Sequence, residues 1–446
     1  MKRLFFIALL LPSLLLAQHS IKGIFSPAEE YNFALLYKVT PTLSDYVSNA
    51  EIKEDGSFEF KLDSTNTKGM YRLVYAVPQE DYNFDIIYNG KEDIELTFNS
   101  ETGVEFIKST ENKLLTSYTN SMSMVTQSIG NYFRQESKDT TALKAIFKTQ
   151  NETQINFEKA AKGTRALAFI EANKPYVPKN IEPVKTYINN LKKHYFDYVD
   201  FNNPILQSSN FLEERLLNYV FGMSSESDDE LENYKENIDS VYNHIKVAPK
   251  AVQRIMLFDL WQQMADLKHE SISNYISDKY LMDIAVTLND QQLLQSLILY
   301  KNLSKGTVAP DFDIEVKEQD KLITKKMSTL KGAENYIIVF WSSTCSHCLD
   351  EVPQLQKFVN SLRKDKVKVV AIGLEDEPYG WKNLTYDYPE FIHVYGKGKW
   401  DNKIGNAYGV TSTPTYFILD KDKKIVLKPS DFEVLKAYFN GEEIEQ

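Results

Sequence analysis

Apolar and polar positions alternate in short runs over the first hundred residues. Phe33–Val39, Ser57–Leu62, Tyr71–Val77, Phe84–Tyr88 and Ile94–Phe98 each carry this period of two. Turn residues separate the runs, as in Glu54-Asp-Gly56 and Tyr88-Asn-Gly-Lys91. Regular spacing of such runs predicts strands, and the region 18–108 reads as a small antiparallel β-sandwich.

The period then changes to helical. Leu114, Tyr118, Met122, Val125, Ile129 and Tyr132 recur at steps of three and four. Leu212, Leu216, Tyr219 and Val220 repeat the pattern, as do Ile255, Phe258, Leu260, Trp261 and Met264. Prolines at 175, 178, 183, 204 and 249 punctuate the helices, and the region 109–302 reads as all-α. His194, His244 and His269 lack ligand spacing and read as ordinary surface or packing residues. The stretch Tyr195-Phe-Asp-Tyr-Val-Asp-Phe201 reads as core rather than a ligand cage.

From 303 to 446 strands and helices alternate. Val308-Ala-Pro-Asp-Phe312 is extended, and Tyr336–Trp341 is a continuous apolar run, the mark of a buried strand. Cys348, Val352, Leu355, Val359 and Leu362 form a helical stripe after it. Val367–Leu374, Phe391–Tyr395, Thr415–Leu419 and Lys424–Leu427 predict four more strands, the last two joined by Asp420-Lys-Asp-Lys423. The alternation predicts an α/β sheet closed by a hairpin.

Composition sharpens this three-part picture. Of 446 residues, 43% are apolar and 13% aromatic, enough to build real cores, and the length suits two to four domains. A net charge of −11 argues against nucleic acid as a partner. Lys2 and Arg3 precede an apolar run, Leu4–Leu16, broken at Pro12 and Ser13 and followed by Ala17. Such a run falls short of the roughly 20 residues that span a bilayer, so residues 1–17 read as a cleaved signal peptide. The mature chain is therefore expected to be exported and soluble, in the periplasm or cell envelope.

Both cysteines stand together in Cys345-Ser-His-Cys348. Exported proteins spend cysteines on structural disulfides, yet this pair is too close in sequence to staple distant segments, which points to working thiols. Zinc would need further ligands of this type, and a c-type haem site would need His where Leu349 stands, so neither a metal nor a cofactor is called for. Ser342 satisfies one spacing of a peroxidatic cysteine site, but Ile338 stands where that site carries a proline. Cys345 falls at the end of a strand and the opening of a helix. Free N–H groups and partial positive charge there favour thiolate over thiol. Cys348, one turn on, is placed to resolve a mixed disulfide. His347 between them is a candidate for tuning the thiolate.

The strand ending in Phe340-Trp341, the Cys345-x-x-Cys348 pair, and Thr413-Pro414-Thr415 before another strand resemble the thioredoxin fold. More narrowly, Cys345-Ser-His-Cys-Leu-Asp-Glu-Val-Pro353 is similar to the C-x-x-C-x-x-E-x-P pattern of TlpA/ResA-like exported thiol–disulfide oxidoreductases. Gly23, the Asp55-Gly-Ser-Phe58 turn and Tyr195–Phe201 resemble the N-terminal regions fused to such domains in exported proteins of Bacteroidetes. The resemblance implies a redox-active Cys345–Cys348 disulfide, with Cys345 attacking and Cys348 resolving. It implies that Glu351 adjusts the thiols and moves a proton, and that Pro414 is a cis-proline opposite them. Thr413 would offer its backbone to a substrate strand, and Trp341 would contact or tune the site. Thr344 replaces the family's usual tryptophan, and Val339 replaces the buried aspartate of thioredoxin.

The expected activity is reduction or exchange of disulfides on protein or peptide thiols, with electrons from a membrane donor implied by the resemblance. The N-terminal regions, which hold no cysteine, are expected to select partners or to pair chains as a homo-oligomer. The alternative is a partner-binding scaffold whose thioredoxin-like domain is redox-inert.

Overall fold

A computed structural model of the chain describes residues 19–79, 81–223, 229–319 and 321–443. The expected signal peptide, residues 1–17, lies outside the described residues. The chain divides into two compact units at Leu260/Trp261.

The first unit opens with eight strands: β1 (His19–Phe25), β2 (Phe33–Val39), β3 (Ser44–Glu51), β4 (Ser57–Leu62), β5 (Gly69–Val74), β6 (Asn83–Tyr88), β7 (Ile94–Asn99) and β8 (Gly103–Lys108). They form two four-stranded sheets, ordered β4-β1-β7-β8 and β3-β2-β5-β6. One apolar cluster draws on both: Phe25, Phe60 and Leu96 from the first, Leu36, Leu73 and Ile86 from the second. The expected antiparallel pattern is corrected at one pairing, because β1 and β7 run parallel. Strands separated by a whole intervening sheet need no hairpin, so their direction is not constrained by a tight turn. Gly23 opposes Phe58 in the β1–β4 register, and the Phe58 ring fills the space a Cβ would take.

Helices follow: α1 (Thr110–Arg134), α2 (Thr140–Ala160), α3 (Ala166–Ala172), α4 (Val184–Lys193), α5 (Pro204–Gln207), α6 (Phe211–Gly222), α7 (Glu230–Ile245) and α8 (Lys250–Asp266), within which the division falls. Side chains cap several of them: Ser109 accepts from Asn112 N, and Asp139 from Thr141 N and Ala142 N. Phe196 and Phe201 are buried as core, whereas Tyr198 is half exposed.

The second unit continues with α9 (Glu270–Ile276), α10 (Met282–Thr287) and α11 (Gln291–Asn302). A β9 (Asp313–Glu318)/β10 (Lys321–Lys326) hairpin precedes β11 (Asn335–Trp341), α12 (Ser346–Ser361), β12 (Val367–Glu375), α13 (Pro378–Thr385), β13 (Ile392–Lys397), α14 (Lys403–Ala407), β14 (Thr415–Asp420), β15 (Ile425–Leu427) and α15 (Phe432–Asn440). The five-stranded sheet is ordered β13-β12-β11-β14-β15. β11 pairs parallel with β12 and antiparallel with β14. It is covered on both faces, which is why its sequence is continuously apolar. Ile338 and Phe340 join one cluster with Tyr408 and Phe417, while Val339 and Trp341 join another with Cys348, Val352 and Tyr416.

Candidate active site

The two cysteines are positioned by the crossing from β11 into α12. The buried run ends at Trp341, and Ser342–Thr344 turn the chain away from the sheet. The turn holds itself: Thr344 N–H donates to Ser342 Oγ at 3.2 Å, and Cys345 N–H to the Ser342 carbonyl at 3.2 Å. Cys345 is extended, with φ −95° and ψ 115°, and caps α12. Cys348 N–H donates to Cys345 Sγ at 3.2 Å. The sulfur thus occupies the place of a capping oxygen, where the unsatisfied N–H groups of a helix start favour negative charge. Cys345 is half-buried and Cys348 is fully buried. They form a disulfide across a Cα–Cα distance of 5.2 Å.

The opposite wall comes from β14. Its antiparallel register pairs Phe340 with Thr415, so the residues just before β14 lie beside the cysteine turn. The Thr413–Pro414 peptide is cis. The Thr413 carbonyl oxygen lies 3.2 Å from Cys345 Sγ.

Glu351 sits in the second turn of α12. Its Oε2 accepts from the Tyr416 hydroxyl at 2.9 Å and from Phe432 N–H at 3.2 Å. The carboxylate therefore ties α12 to β14 and to the first turn of α15. Burial, then the neighbouring Glu351 charge, pushes the Tyr416 phenol well above its ordinary range, so it stays a donor. Neither Tyr416 nor the α15 amide was marked by the sequence pattern. Tyr416 lies in a strand buried on both faces, so no alternation singles it out.

The structure brings Cys345, Cys348, Thr413 and Pro414 into one place. His347 is exposed on the first turn of α12. Trp341, expected to contact or tune the site, is fully buried and stands edge-on to Tyr388 at 6.0 Å. Its position inside the apolar run of β11 puts it beneath the site rather than at its surface. Another carboxylate, the buried Glu375, accepts from the Ser343 amide in the cysteine turn. It ends an apolar strand, where a carboxylate ordinarily marks solvent, so the sequence pattern gave no sign of it.

The fold and the paired cysteines define a thioredoxin-like domain, and the Thioredoxin-like family model matches residues 333–425. Homologues of this region include the thiol–disulfide oxidoreductases ResA. ResA of Bacillus thuringiensis is 30% identical over 122 residues, which cover 27% of this chain and 66% of that protein. ResA of Bacillus subtilis is 25% identical over 126 residues, covering 28% and 67%. Among solved structures, the thioredoxin domain of a thiol–disulfide oxidoreductase from Bacteroides vulgatus is 21% identical. It covers 30% of this chain and 98% of its own, with a TM-score of 0.26. A thioredoxin-like protein from Bacteroides caccae is 17% identical and covers 60% of this chain and 98% of its own, with a TM-score of 0.32. The chain thus spans about two thirds of the length of the first ResA relatives.

Proposed function

We propose that the chain is an exported thiol–disulfide oxidoreductase that reduces or exchanges disulfides on protein or peptide substrates. One observation carries the reading. Cys345 Sγ lies between the Cys348 amide and the Thr413 carbonyl, each at 3.2 Å, beside a cis-proline.

In the reduced protein the Cys345 thiolate attacks one sulfur of a substrate disulfide. A mixed disulfide forms and the other substrate sulfur leaves as a thiolate. The Cys348 thiolate then attacks Cys345 Sγ, which releases the second substrate thiol and closes the Cys345–Cys348 disulfide. Two electrons pass to the substrate, and a membrane dithiol donor returns them. The buried Cys348 is shielded from outside partners and meets only the sulfur of Cys345. Thr413 and Pro414 offer main chain to an extended substrate segment. Glu351, held by Tyr416 and Phe432, is the carboxylate that adjusts the thiols and takes or gives their proton. His347 adds to the tuning from the exposed side.

The two N-terminal sheets are read as packed face to face in a sandwich. With the helices that follow, they choose partners or pair two chains. Export to the periplasm or cell envelope rests on the N-terminal segment. No helix among the described residues is long and apolar enough to cross a membrane.

Insulin reduction by the full chain, with dithiothreitol as the electron source, tests the activity. Turnover should exceed that of dithiothreitol alone and vanish in Cys345→Ser. No excess turnover by the unaltered chain would leave the redox-inert scaffold in its place.

A further inference from the structure

The parallel register of β11 and β12 has a consequence beyond the sheet. Trp341 pairs with Gly373, and β11 stops there while β12 runs two residues further. Those two residues accompany Ser342 and Ser343, the first half of the cysteine turn. Glu375 is the last of them, only 5% exposed, and its Oε1 accepts the Ser343 amide proton. The turn's own hydrogen bonds run within itself, and Cys345 Sγ only approaches the Thr413 carbonyl, so this carboxylate anchors the turn to the sheet from the β12 side.

The anchor is itself fixed. The Glu375 carbonyl accepts from Gly398 N–H at 3.0 Å, and Glu375 pairs with Lys397 in the β12–β13 register. Gly380 leaves its own Cβ position open 3.4 Å from Ser343 Oγ, so α13 flanks the same residue. Charged and titratable groups near Glu375 include Asp376 and Glu377 on its own segment, Lys397 and Tyr395 on β13, and the Lys399–Asp401 turn that packs on β12. The Tyr395 hydroxyl donates to the Asp376 carbonyl at 3.2 Å. Its phenol is held above the ordinary value by desolvation and then by the charges of Glu377, Glu375 and Asp376.

We propose that Glu375 is a positioning residue for the dithiol: its carboxylate fixes the turn that presents Cys345 to Thr413, and it stands beside that turn as an acidic group. The proposal rests on the reading of Cys345 as the attacking thiol. A negative charge near a thiolate disfavours it, so Glu375 opposes the α12 N-terminus and holds back the reactivity of Cys345.

Glu375→Gln keeps an acceptor for Ser343 and removes the charge. Glu375→Ala removes both, and Glu375→Asp keeps the charge on a side chain one methylene shorter. In the reduced full chain, the pH midpoint of Cys345 alkylation by iodoacetamide should fall by about 0.5 unit or more in Glu375→Gln, the sign expected when a like charge is removed. Amide exchange of the peptide 342–347 should stay near that of the unaltered chain in Glu375→Gln. It should rise about tenfold in Glu375→Ala, the loss of roughly 1.4 kcal/mol of anchoring. Glu375→Asp carries the exchange arm if Glu375→Ala fails to fold. An unchanged or raised midpoint in Glu375→Gln, or unchanged exchange in both shortened variants, overturns the proposal. Both readouts need no disulfide substrate, so they stand or fall apart from insulin reduction.

Discussion

Tyr416→Phe isolates one bond at the base of the site. Tyr416 is fully buried, and its hydroxyl donates to Glu351 at 2.9 Å. Phenylalanine keeps the ring and its packing against the cluster around Cys348 and removes only the donor. Glu351 Oε2 is left with the Phe432 amide at 3.2 Å. A hydrogen bond to a charged group is worth about 1.5–3 kcal/mol, and the loss should fall near the middle of that range. Of the four tryptophans, 341, 381 and 400 stand well inside the second compact unit and 261 at its first residue, so emission is dominated by that unit. With a urea slope of about 2 kcal/mol per molar, a loss of about 2 kcal/mol lowers the midpoint by about 1 M at unchanged slope. A midpoint within about 0.2 M of the unaltered chain would mean that the bond contributes nothing that water does not replace.

Cys348→Ser should accumulate mixed disulfides with partner proteins on non-reducing gels, and Cys345→Ser should accumulate none; equal capture by both would remove the order of attack and resolution. Gly373→Ala should destabilise the second unit by about 1–3 kcal/mol in the same tryptophan assay, because its Cβ would sit 1.9 Å from Trp381 Nε1; an unchanged midpoint would show that Trp381 moves freely. Asp259 has its pKa raised to about 7, first by burial and then by Glu213, against the pull of Arg254. A carboxyl that is neutral in the fold but ionised in the unfolded chain makes the first unit lose stability as pH rises from about 4 to 7, by at most about 4 kcal/mol. Asp259→Asn should therefore raise the circular-dichroism urea midpoint at pH 8 and leave it nearly unchanged at pH 4; equal effects at both values would contradict the burial of this charge.

Much of the second unit could be read from the chain because its sheet is buried on both faces. β11 and β12 announce themselves as unbroken apolar runs, and the stripe Cys348, Val352, Leu355 marks the face of α12 that meets them. The cis Thr413–Pro414 bond was expected from the resemblance and is present. Strands with little burial escaped. β3 is Ser44-Asp-Tyr-Val-Ser-Asn-Ala-Glu51, mostly exposed, and β10 is lysine-rich with no buried side chain. Neither shows an apolar face to detect. Periodicity placed helices in the region of α9–α11 without telling which core they join; Leu299 and Leu303 pack with the second unit's sheet. The site divides the same way. Cys345 and Cys348 follow from local spacing, whereas Glu375 reaches Ser343 only through the register of two strands 32 positions apart in sequence.

An oxidoreductase of this kind opens and closes Cys345–Cys348 in use. Equilibrating the full chain in thiol–disulfide buffers, then trapping and weighing the thiols, gives its reduction potential directly. A working pair should show a reversible two-electron couple above about −300 mV, in the range of about −270 to −120 mV of exchange-active pairs. A pair that stays oxidised below about −300 mV, as structural disulfides do, would contradict that use.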